Sequence, residues 1–384
     1  MTTMGAKRII ILFSDAGGGH RSAGEAIAEA LAAQYGAAVE VALVDALKQY
    51  TRWPINRLPE WYPAMIAKGR LGWGLTYWLM DGRPQMRVGD KLVWPYVRAE
   101  VARFLRDHPA DLYISVHPAM CLLMHELRSR GTPLITVVTD LVSTHALWYS
   151  RLTNLCIVPT EAARQTALLH GYQYDQVRVV GLPVAARFGV PAEDRAALKA
   201  RLGWSPDRPT VLVMGGGEGM GPLFKIAQAI AHSGLACELA VVAGRNQALQ
   251  AQLQAAEWPV PAHIYGFVRE VPDFMRAATV LVSKAGPGTI CEALSVGLPM
   301  ILYSRVPGQE AGNAAYVADG GAGAWAPGPQ RVVAALRRWI GPDAQPEALA
   351  QARAAALRLA RPHAAREIAE IAWSYVAPSD SAAS

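Results

Sequence analysis

The sequence predicts an α/β fold of two facing Rossmann-like domains with a deep interdomain cleft. Short apolar runs rich in β-branched residues alternate with segments of helical periodicity, which is typical of parallel sheets covered by helices. A strand-like run at 9–13 leads through a glycine-rich turn into a helix, and the run at 210–214 repeats that plan. The 384 residues, of which 52% are hydrophobic and 18% charged, suffice for two full cores.

Composition shifts mark the expected domain boundaries. We expect an N-terminal domain at 1–182, with an aromatic and basic insertion at 52–98, and a Pro-rich charged linker at 183–209. A second domain follows at 210–360, a helix at 361–376 returns to the N-terminal domain, and the polar tail at 377–384 is expected to be disordered.

Charge and hydropathy narrow the function classes. No run approaches the roughly 20 apolar residues that span a bilayer, and 7–13 is interpreted as a first strand rather than a signal peptide. The four cysteines lack metal-ligand spacing and indicate a reducing compartment. The net charge of +6 suits an anionic membrane surface or nucleic acid.

The first glycine-rich turn, 14–22, connects a buried strand to a helix on which Ala23, Ile27 and Leu31 form an apolar stripe. A dinucleotide site is one alternative for such a turn, and Asp45 lies roughly where its ribose-binding acid would be sought. The G-x-G-x-x-G pattern itself is not matched.

The insertion at 52–98 interleaves tryptophans with cations. It holds five of the eleven tryptophans, Trp53, Trp61, Trp73, Trp78 and Trp94, together with Arg70 and seven other Arg or Lys residues. Amphipathic rings and snorkelling cations suit the headgroup level of a membrane. The alternative is a helical insertion that packs on its own core. Nucleic-acid stacking uses similar residues, but no nucleic-acid motif is present.

Polar residues follow two further strands of the first half. The run at 111–116 ends in His117, and the run at 134–139 is followed by Asp140 and His145. Open α/β sheets bind ligands at the carboxyl ends of their strands, so these residues are candidates for a site. A turn or capping role for Asp140 and a loop role for His117 remain the alternatives.

The second half carries two glycine turns. Gly215 to Gly221 follow a strand without the Lys-Ser/Thr of a P-loop, and the turn at 286–288 opens a helix at Thr289. Such a helix start aims backbone N–H groups at an anion. Glu292, one turn into the helix, can accept hydrogen bonds from a ribose diol, whereas an ordinary turn with a solvated Glu is the alternative. A polar loop with Gln309 and Glu310 follows the next strand.

Two stretches carry a resemblance. SKAGPGTICEALSVGLPMILYSRVPGQEAGNAAYV (283–317) and SDAGGGHRSAGEAI (14–27) resemble the monogalactosyldiacylglycerol synthases and processive diacylglycerol glycosyltransferases. That family is related to the peptidoglycan lipid II-forming N-acetylglucosaminyltransferase. The resemblance covers nearly the whole chain and implies the GT-B fold. A family arginine expected directly after G-x-P-V is replaced by Ala185, with Arg187 two places later.

The resemblance also implies roles for residues. The donor UDP-sugar would be bound by Gly216, Gly217, Arg245, Gly266, Phe267, Val268, Gly286, Gly288, Thr289, Glu292, Gln309 and Glu310. The acceptor side would include Gly18, Gly19, His117 and His145. Asp140 is the preferred base, with His20 as its rival or as a ligand of an anionic phospholipid.

The resulting hypothesis is an inverting transfer of galactose or glucose from a UDP-sugar to 1,2-diacylglycerol. The alternatives are N-acetylglucosamine transfer to a polyprenyl-linked sugar, a UDP-sugar epimerase and a non-catalytic lipid sensor. No D-x-D occurs, so no obligatory metal or other cofactor is expected. The expected partners are the UDP-sugar, diacylglycerol and an anionic lipid surface rather than nucleic acid. We expect a peripheral (monotopic) enzyme on the cytoplasmic side of a membrane, and leave the oligomeric state open.

Overall fold

A computed structural model describes residues 5–14, 19–57, 60–61, 81–149, 152–190 and 194–377, without the side chains at 83, 84, 86, 87, 89, 90 and 346. Four residues with predicted roles, Gly18, Arg70, Trp73 and Trp78, lie outside this part of the chain. The chain divides into two compact units. The first comprises Met1–Ala186, Pro307–Gln309 and His363–Ser384, and the second comprises Arg187–Val306 and Glu310–Pro362.

The first unit contains a parallel six-stranded sheet. Its strands are β1 (Lys7–Phe13), β2 (Val39–Asp45), β3 (Leu112–Ser115), β4 (Leu134–Val137), β5 (Leu155–Val158) and β6 (Val177–Val179). They lie in the order β2-β1-β3-β4-β5-β6, so β1, β3 and β4 are neighbours at the centre. The described helices are α1 (Gly19–Tyr35), α2 (Ala46–Tyr50), α3 (Arg83–Asp107), α4 (Met124–Arg130), α5 (Glu161–Leu169) and, at the C-terminal end, α14 (Ala364–Ser374).

Helices cover both faces of this sheet. Ile9 and Ile11 of β1 pack with Ile27 of α1 and Ile368 of α14, whereas the intervening Ile10 packs on the other face with residues of α3 and α4. This alternation explains why β1 is apolar throughout, as expected of a strand buried on both sides. Helix α14 lies against α1, where the rings of Tyr35 and Trp373 stack at 4.3 Å.

The second unit repeats the plan. Its strands are β7 (Thr210–Met214), β8 (Glu238–Val242), β9 (Ala262–Tyr265), β10 (Val280–Lys284), β11 (Met300–Ser304) and β12 (Gly323–Trp325), in the parallel order β12-β11-β10-β7-β8-β9. Its helices are α6 (Arg195–Arg201), α7 (Leu223–Ala231), α8 (Gln247–Gln254), α9 (Val271–Ala277), α10 (Pro287–Ser295), α11 (Ala311–Asp319), α12 (Pro329–Ile340) and α13 (Pro346–Leu359).

The segment expected to be a linker differs from that expectation. From Arg187 onward it belongs to the second unit, and its helix α6 packs against α9. Leu198 and Trp204 are buried there, and the indole N–H of Trp204 donates to the Tyr265 hydroxyl at 2.9 Å. Buried apolar side chains of this kind help to dock a segment whose composition is typical of a linker.

The described part of the insertion is dominated by one long helix. Helix α3 begins at Arg83 and continues through Pro95 to Asp107. Trp94 stacks on His125 at 4.0 Å, so this tryptophan packs on the protein, as the alternative interpretation of the insertion expects. Trp53 and Trp61 are instead exposed. Among the residues described, no helix is long and apolar enough to cross a membrane.

Candidate functional site

The carboxyl edge of the first sheet gathers three of the predicted residues. His20 lies in the first turn of α1 after β1, His117 follows β3, and Asp140 follows β4. Because β1, β3 and β4 are adjacent parallel strands, their carboxyl ends meet at one edge. Sheet order therefore brings His20 to the same edge as His117 and Asp140, which lie 97 and 120 positions later in the chain.

The His20 imidazole is held in one tautomer. Its Nδ1 lies 2.8 Å from the carbonyl oxygen of Val116 and 2.8 Å from the hydroxyl of Thr139. A carbonyl only accepts, so Nδ1 carries the hydrogen and Nε2 of the neutral ring keeps its lone pair. Burial lowers the pKa of His20 to about 4, although the hydrogen bond to Val116 opposes this shift. The ring is therefore neutral at pH 7 and able to accept a proton at Nε2.

The imidazole of His117 packs against that of His20. The two rings meet edge to face with centroids 4.8 Å apart, and Nδ1 of His117 accepts from the backbone N–H of Ala119 at 3.3 Å. Burial, with a smaller contribution from repulsion by His20 when that ring is protonated, holds the pKa of His117 well below its usual range. His117 is consequently neutral, and it adds no positive charge that would compete with a proton arriving at His20.

Asp140 is buried and accepts two side-chain hydrogen bonds. The indole N–H of Trp148 donates to Oδ2 at 2.7 Å, and the amide of Gln309 donates to Oδ1 at 3.1 Å. Trp148 is fully buried, and its ring lies 6.1 Å from the His20 ring. Asp140 thus fixes the indole that lies beside the imidazole. Gln309, predicted to meet the donor sugar, belongs to the same compact unit as Asp140.

The other predicted acceptor residues in the described part of the chain are Gly19 and His145. Gly19 is the exposed first residue of α1. His145 lies in the loop after β4, where its Nδ1 accepts from the backbone N–H of Leu147 at 3.0 Å. Sequence reasoning missed Trp148 and Thr139, which contact Asp140 and His20. The only signal for them is proximity to Asp140 in the chain, and this does not distinguish them from other loop residues.

The carboxyl edge of the second sheet carries the two glycine turns. The turn that contains Gly216 and Gly217 follows β7, and the turn at Gly286 follows the neighbouring strand β10. Gly244, after β8, has a φ of +63°, and a Cβ there would overlap the carbonyl oxygen of Gly217. Only glycine fits this close approach. It also lets the N–H of Arg245 donate to the Gly217 oxygen at 2.8 Å.

Helix α10 begins with an anion-binding geometry. Gly286 is its N-cap and Pro287 its first residue, so two first-turn N–H groups, those of Gly288 and Thr289, have no acceptor within the helix. No acidic residue lies in this first turn. The buried amide of Asn313 donates to the carbonyl oxygen of Ala285 at 2.9 Å and so holds the turn from below.

Glu292 is half-buried in the second turn of α10. Burial raises the pKa of its carboxyl group to about 7, while the opposing charge of Arg187 lowers it. The charge of Arg187, two places after Ala185, therefore acts on the carboxyl group of the predicted ribose ligand. A diol that donates hydrogen bonds to this carboxylate would compensate for the hydration that burial removes.

Lys284 is a residue that sequence reasoning missed. It ends β10, and its ammonium group lies 2.6 Å from Oε1 of Glu310. Oε2 of Glu310 accepts from the backbone N–H of Val306 at 2.8 Å, so both carboxylate oxygens are engaged. Its position next to the glycine turn was a signal in the sequence, but its buried carboxylate partner lies 26 residues later in the chain.

Arg245 and Phe267 come together at the end of this edge. Gly266, Phe267 and Val268 follow β9, and the guanidinium of Arg245 lies 4.5 Å above the Phe267 ring. The same guanidinium pairs with Glu218 at 2.8 Å. A flat cation on an exposed ring offers stacking surface to a base. No group of three or more His, Cys, Asp or Glu suited to a metal ion occurs among the described residues.

Comparisons with known proteins cover both units. The family model described as monogalactosyldiacylglycerol (MGDG) synthase matches residues 20–184, and that of the glycosyltransferase family 28 C-terminal domain matches residues 210–360. The probable monogalactosyldiacylglycerol synthase, chloroplastic, of Glycine max is 38% identical over 374 residues, covering 94% of this chain and 70% of that protein. Monogalactosyldiacylglycerol synthase 1, chloroplastic, of Arabidopsis thaliana is 36% identical over 375 residues, with 94% and 70% covered.

Solved structures support the fold. MurG of Acinetobacter baumannii superposes with a TM-score of 0.60 at 16% identity, covering 96% of this chain and 99% of that one. The UDP-GlcNAc 2-epimerase of Neisseria meningitidis bound to UDP-GlcNAc gives a TM-score of 0.62 at 12% identity, with 95% and 99% covered. Identities this low carry the fold alone, and they confirm the predicted α/β, GT-B architecture of two Rossmann-like units.

Proposed function

The chain belongs to the monogalactosyldiacylglycerol synthase family and is a hexosyltransferase, and we propose that it transfers galactose from UDP-galactose to the free hydroxyl of 1,2-diacylglycerol. The product would be a β-monogalactosyldiacylglycerol, formed with inversion at C1. The observation that carries this proposal is the identity of 36–38% to named synthases along 94% of the chain. The choice of galactose over glucose rests on the names of those relatives.

His20 is the better supported base. Its Nδ1–H is held by Val116, so Nε2 is available to take the hydroxyl proton, and burial keeps the ring neutral. Asp140, preferred from the sequence, already accepts hydrogen bonds from Trp148 and Gln309. We therefore give Asp140 a positioning role through Trp148.

The proposed reaction is a single displacement at C1 of the hexose. The acceptor oxygen forms a bond to C1 of the hexose as the bond from C1 to the β-phosphate oxygen breaks, and the hydroxyl proton passes to His20. Negative charge then grows on UDP. The N–H groups of Gly288 and Thr289, with the glycine turn at 215–221, are suited to stabilise that charge because they are oriented before the reaction.

The rest of the donor follows the same edge of the second sheet. Glu292 would accept hydrogen bonds from the ribose diol, and the stacked pair of Arg245 and Phe267 would contact the uracil together with the backbone at 266–268. Gln309 would donate to a hexose hydroxyl through the amide that now contacts Asp140.

A face of α3 supports docking on a lipid surface. Val88, Leu92 and Tyr96 recur at a spacing of four residues and are exposed by 58%, 73% and 44%. Lys91 and Arg98 are exposed on the same helix. The Tyr96 hydroxyl donates to the carbonyl of Trp53, itself exposed by 69%. An apolar stripe flanked by cations suits an anionic bilayer surface, where diacylglycerol would be found, so we propose peripheral membrane association.

The test is transfer into lipid. Purified protein is given radiolabelled UDP-galactose or UDP-glucose with anionic liposomes that contain diacylglycerol, and the label in extracted lipid is counted. We expect monohexosyl lipid from UDP-galactose, with a β-anomeric proton coupling in the NMR spectrum of the product. Label only from UDP-glucose would change the donor. No lipid label despite intact UDP binding would favour a polyprenyl-linked acceptor, supplied in a parallel reaction, or a binding protein without catalysis.

A further inference from the structure

Lys284 occupies the space between the two glycine turns of the second unit. A Cβ placed on Gly216 would lie 3.3 Å from Cε of Lys284, and a Cβ placed on Gly286 would lie 2.8 Å from its Nζ. The two turns follow adjacent strands, with Ser283 paired to Met214 in the register of β10 and β7. The side chain of Lys284 thus runs along the glycine surfaces on which the diphosphate is proposed to lie.

Glu310 holds the ammonium group in this position. Its carboxylate is only 4% exposed, and one oxygen accepts from the backbone of Val306 while the other pairs with Lys284. A carboxylate anchored to the backbone is a rigid partner, so it restricts where the flexible lysine side chain can go. An ammonium group carries three N–H donors, and a single carboxylate oxygen does not satisfy all of them.

We propose that Lys284 is a ligand of the donor diphosphate and that Glu310 acts by positioning it. This deepens the proposed function and rests on a UDP-sugar being the donor. A diphosphate offers several anionic oxygens to a fixed cation, and charge-assisted hydrogen bonds of this kind are among the strongest in proteins. The same ammonium group would stabilise the charge that develops on UDP as it leaves. Glu310, expected from the resemblance to meet the sugar, would then act one step away from it.

The experiment measures UDP and uridine binding to the full chain by equilibrium dialysis. Lys284→Met should weaken UDP binding about 10- to 100-fold and leave uridine binding unchanged, because uridine has no phosphate. Lys284→Arg should recover part of the loss. Arg338→Met removes an exposed cation of α12 in the same unit and should change neither affinity. An unchanged ratio of UDP to uridine affinity in Lys284→Met would overturn the proposal.

Glu310 is tested through its dependence on Lys284. Glu310→Gln should weaken UDP binding in the parent chain but not in the Lys284→Met background, since both residues act through one contact. This double variant also removes both charges of the pair, so an unpaired buried carboxylate cannot account for a loss of folding. Unchanged UDP binding with weaker UDP-galactose binding in Glu310→Gln would instead make Glu310 a sugar ligand.

These outcomes separate the inference from the function on which it rests. A chain that binds no UDP removes the donor, and the proposed function and the inference fall together. If the protein binds UDP but forms no glycolipid, only the proposal that diacylglycerol is the acceptor is contradicted. In that case the ratio of UDP to uridine affinity still decides the role of Lys284.

Discussion

Lowering the pH from 8 to 6 should weaken UDP binding about tenfold through one carboxyl group, that of Glu292. Burial raises the pKa of this group to about 7 because desolvation penalises the charged form, and the positive charge of Arg187 opposes this shift. With that pKa, about nine-tenths of the group is ionised at pH 8 and about one-tenth at pH 6. The carboxylate accepts hydrogen bonds from both ribose hydroxyls more strongly than the neutral acid, which presents an O–H donor in place of one acceptor, so affinity should follow the ionised fraction.

The sign of the effect has a second consequence. A ligand that prefers the carboxylate lowers its pKa on binding, so UDP binding at pH 7 should release about half a proton from Glu292. Calorimetry in buffers of different ionisation enthalpy measures that proton directly. The binding heats should depend on the buffer at pH 7, and this dependence should fade at pH 8.5, where Glu292 is already ionised.

The control is Glu292→Gln, which has nearly the same shape and no titration. The terminal phosphate of UDP also titrates near pH 6, and this contribution is common to both proteins. The difference between the two profiles therefore belongs to Glu292. Profiles of the parent and of Glu292→Gln that run parallel from pH 8 to 6 would refute the assignment of this carboxylate to the ribose.

Three further predictions concern the proposed base, a glycine turn and the proposed docking face on α3. His20→Asn should lower kcat by about 10²- to 10⁴-fold with UDP affinity unchanged, because it removes a general base outside the donor-binding unit. Asp140→Asn should lower kcat less, and a larger loss in Asp140→Asn than in His20→Asn would assign the base to Asp140. Gly244→Ala should lower the free energy of unfolding in urea by at least about 1–3 kcal/mol and weaken UDP binding, because the added Cβ meets the Gly217 oxygen. Gly234→Ala is the matched control, since Gly234 has a φ of +75° and open space around it, and it should show the smaller loss of stability. Leu92→Gln should reduce sedimentation of the protein with anionic liposomes. Leu169→Gln is the control, because Leu169 on α5 is 76% exposed, and it should leave sedimentation unchanged. Equal effects of the two substitutions would show that α3 is not a docking face.

Local pattern determined much of this protein. Apolar runs of four to seven residues identified the central strands, and the glycines after β7 and β10 marked the turns at which chain direction changes. These features are readable because period and turn chemistry depend on residues close together in the chain. Glu292 was predicted as a ribose ligand in the same way, since its distance from the helix start is itself a local property, and this role stays a prediction.

Tertiary structure decided which of these features became neighbours. The order β2-β1-β3-β4 brings His20 to Val116 and Thr139, 96 and 119 residues away, and so selects the tautomer on which we base the proposal of His20 rather than Asp140 as the base. Burial likewise turned a charged segment around Leu198 into part of the second unit. Lys284, at the end of β10, and Glu310, in the loop after β11, form an ion pair because the fold places these two segments side by side. Hydrogen-bond partners and desolvation depend on distances in space, and periodicity along a chain does not contain them.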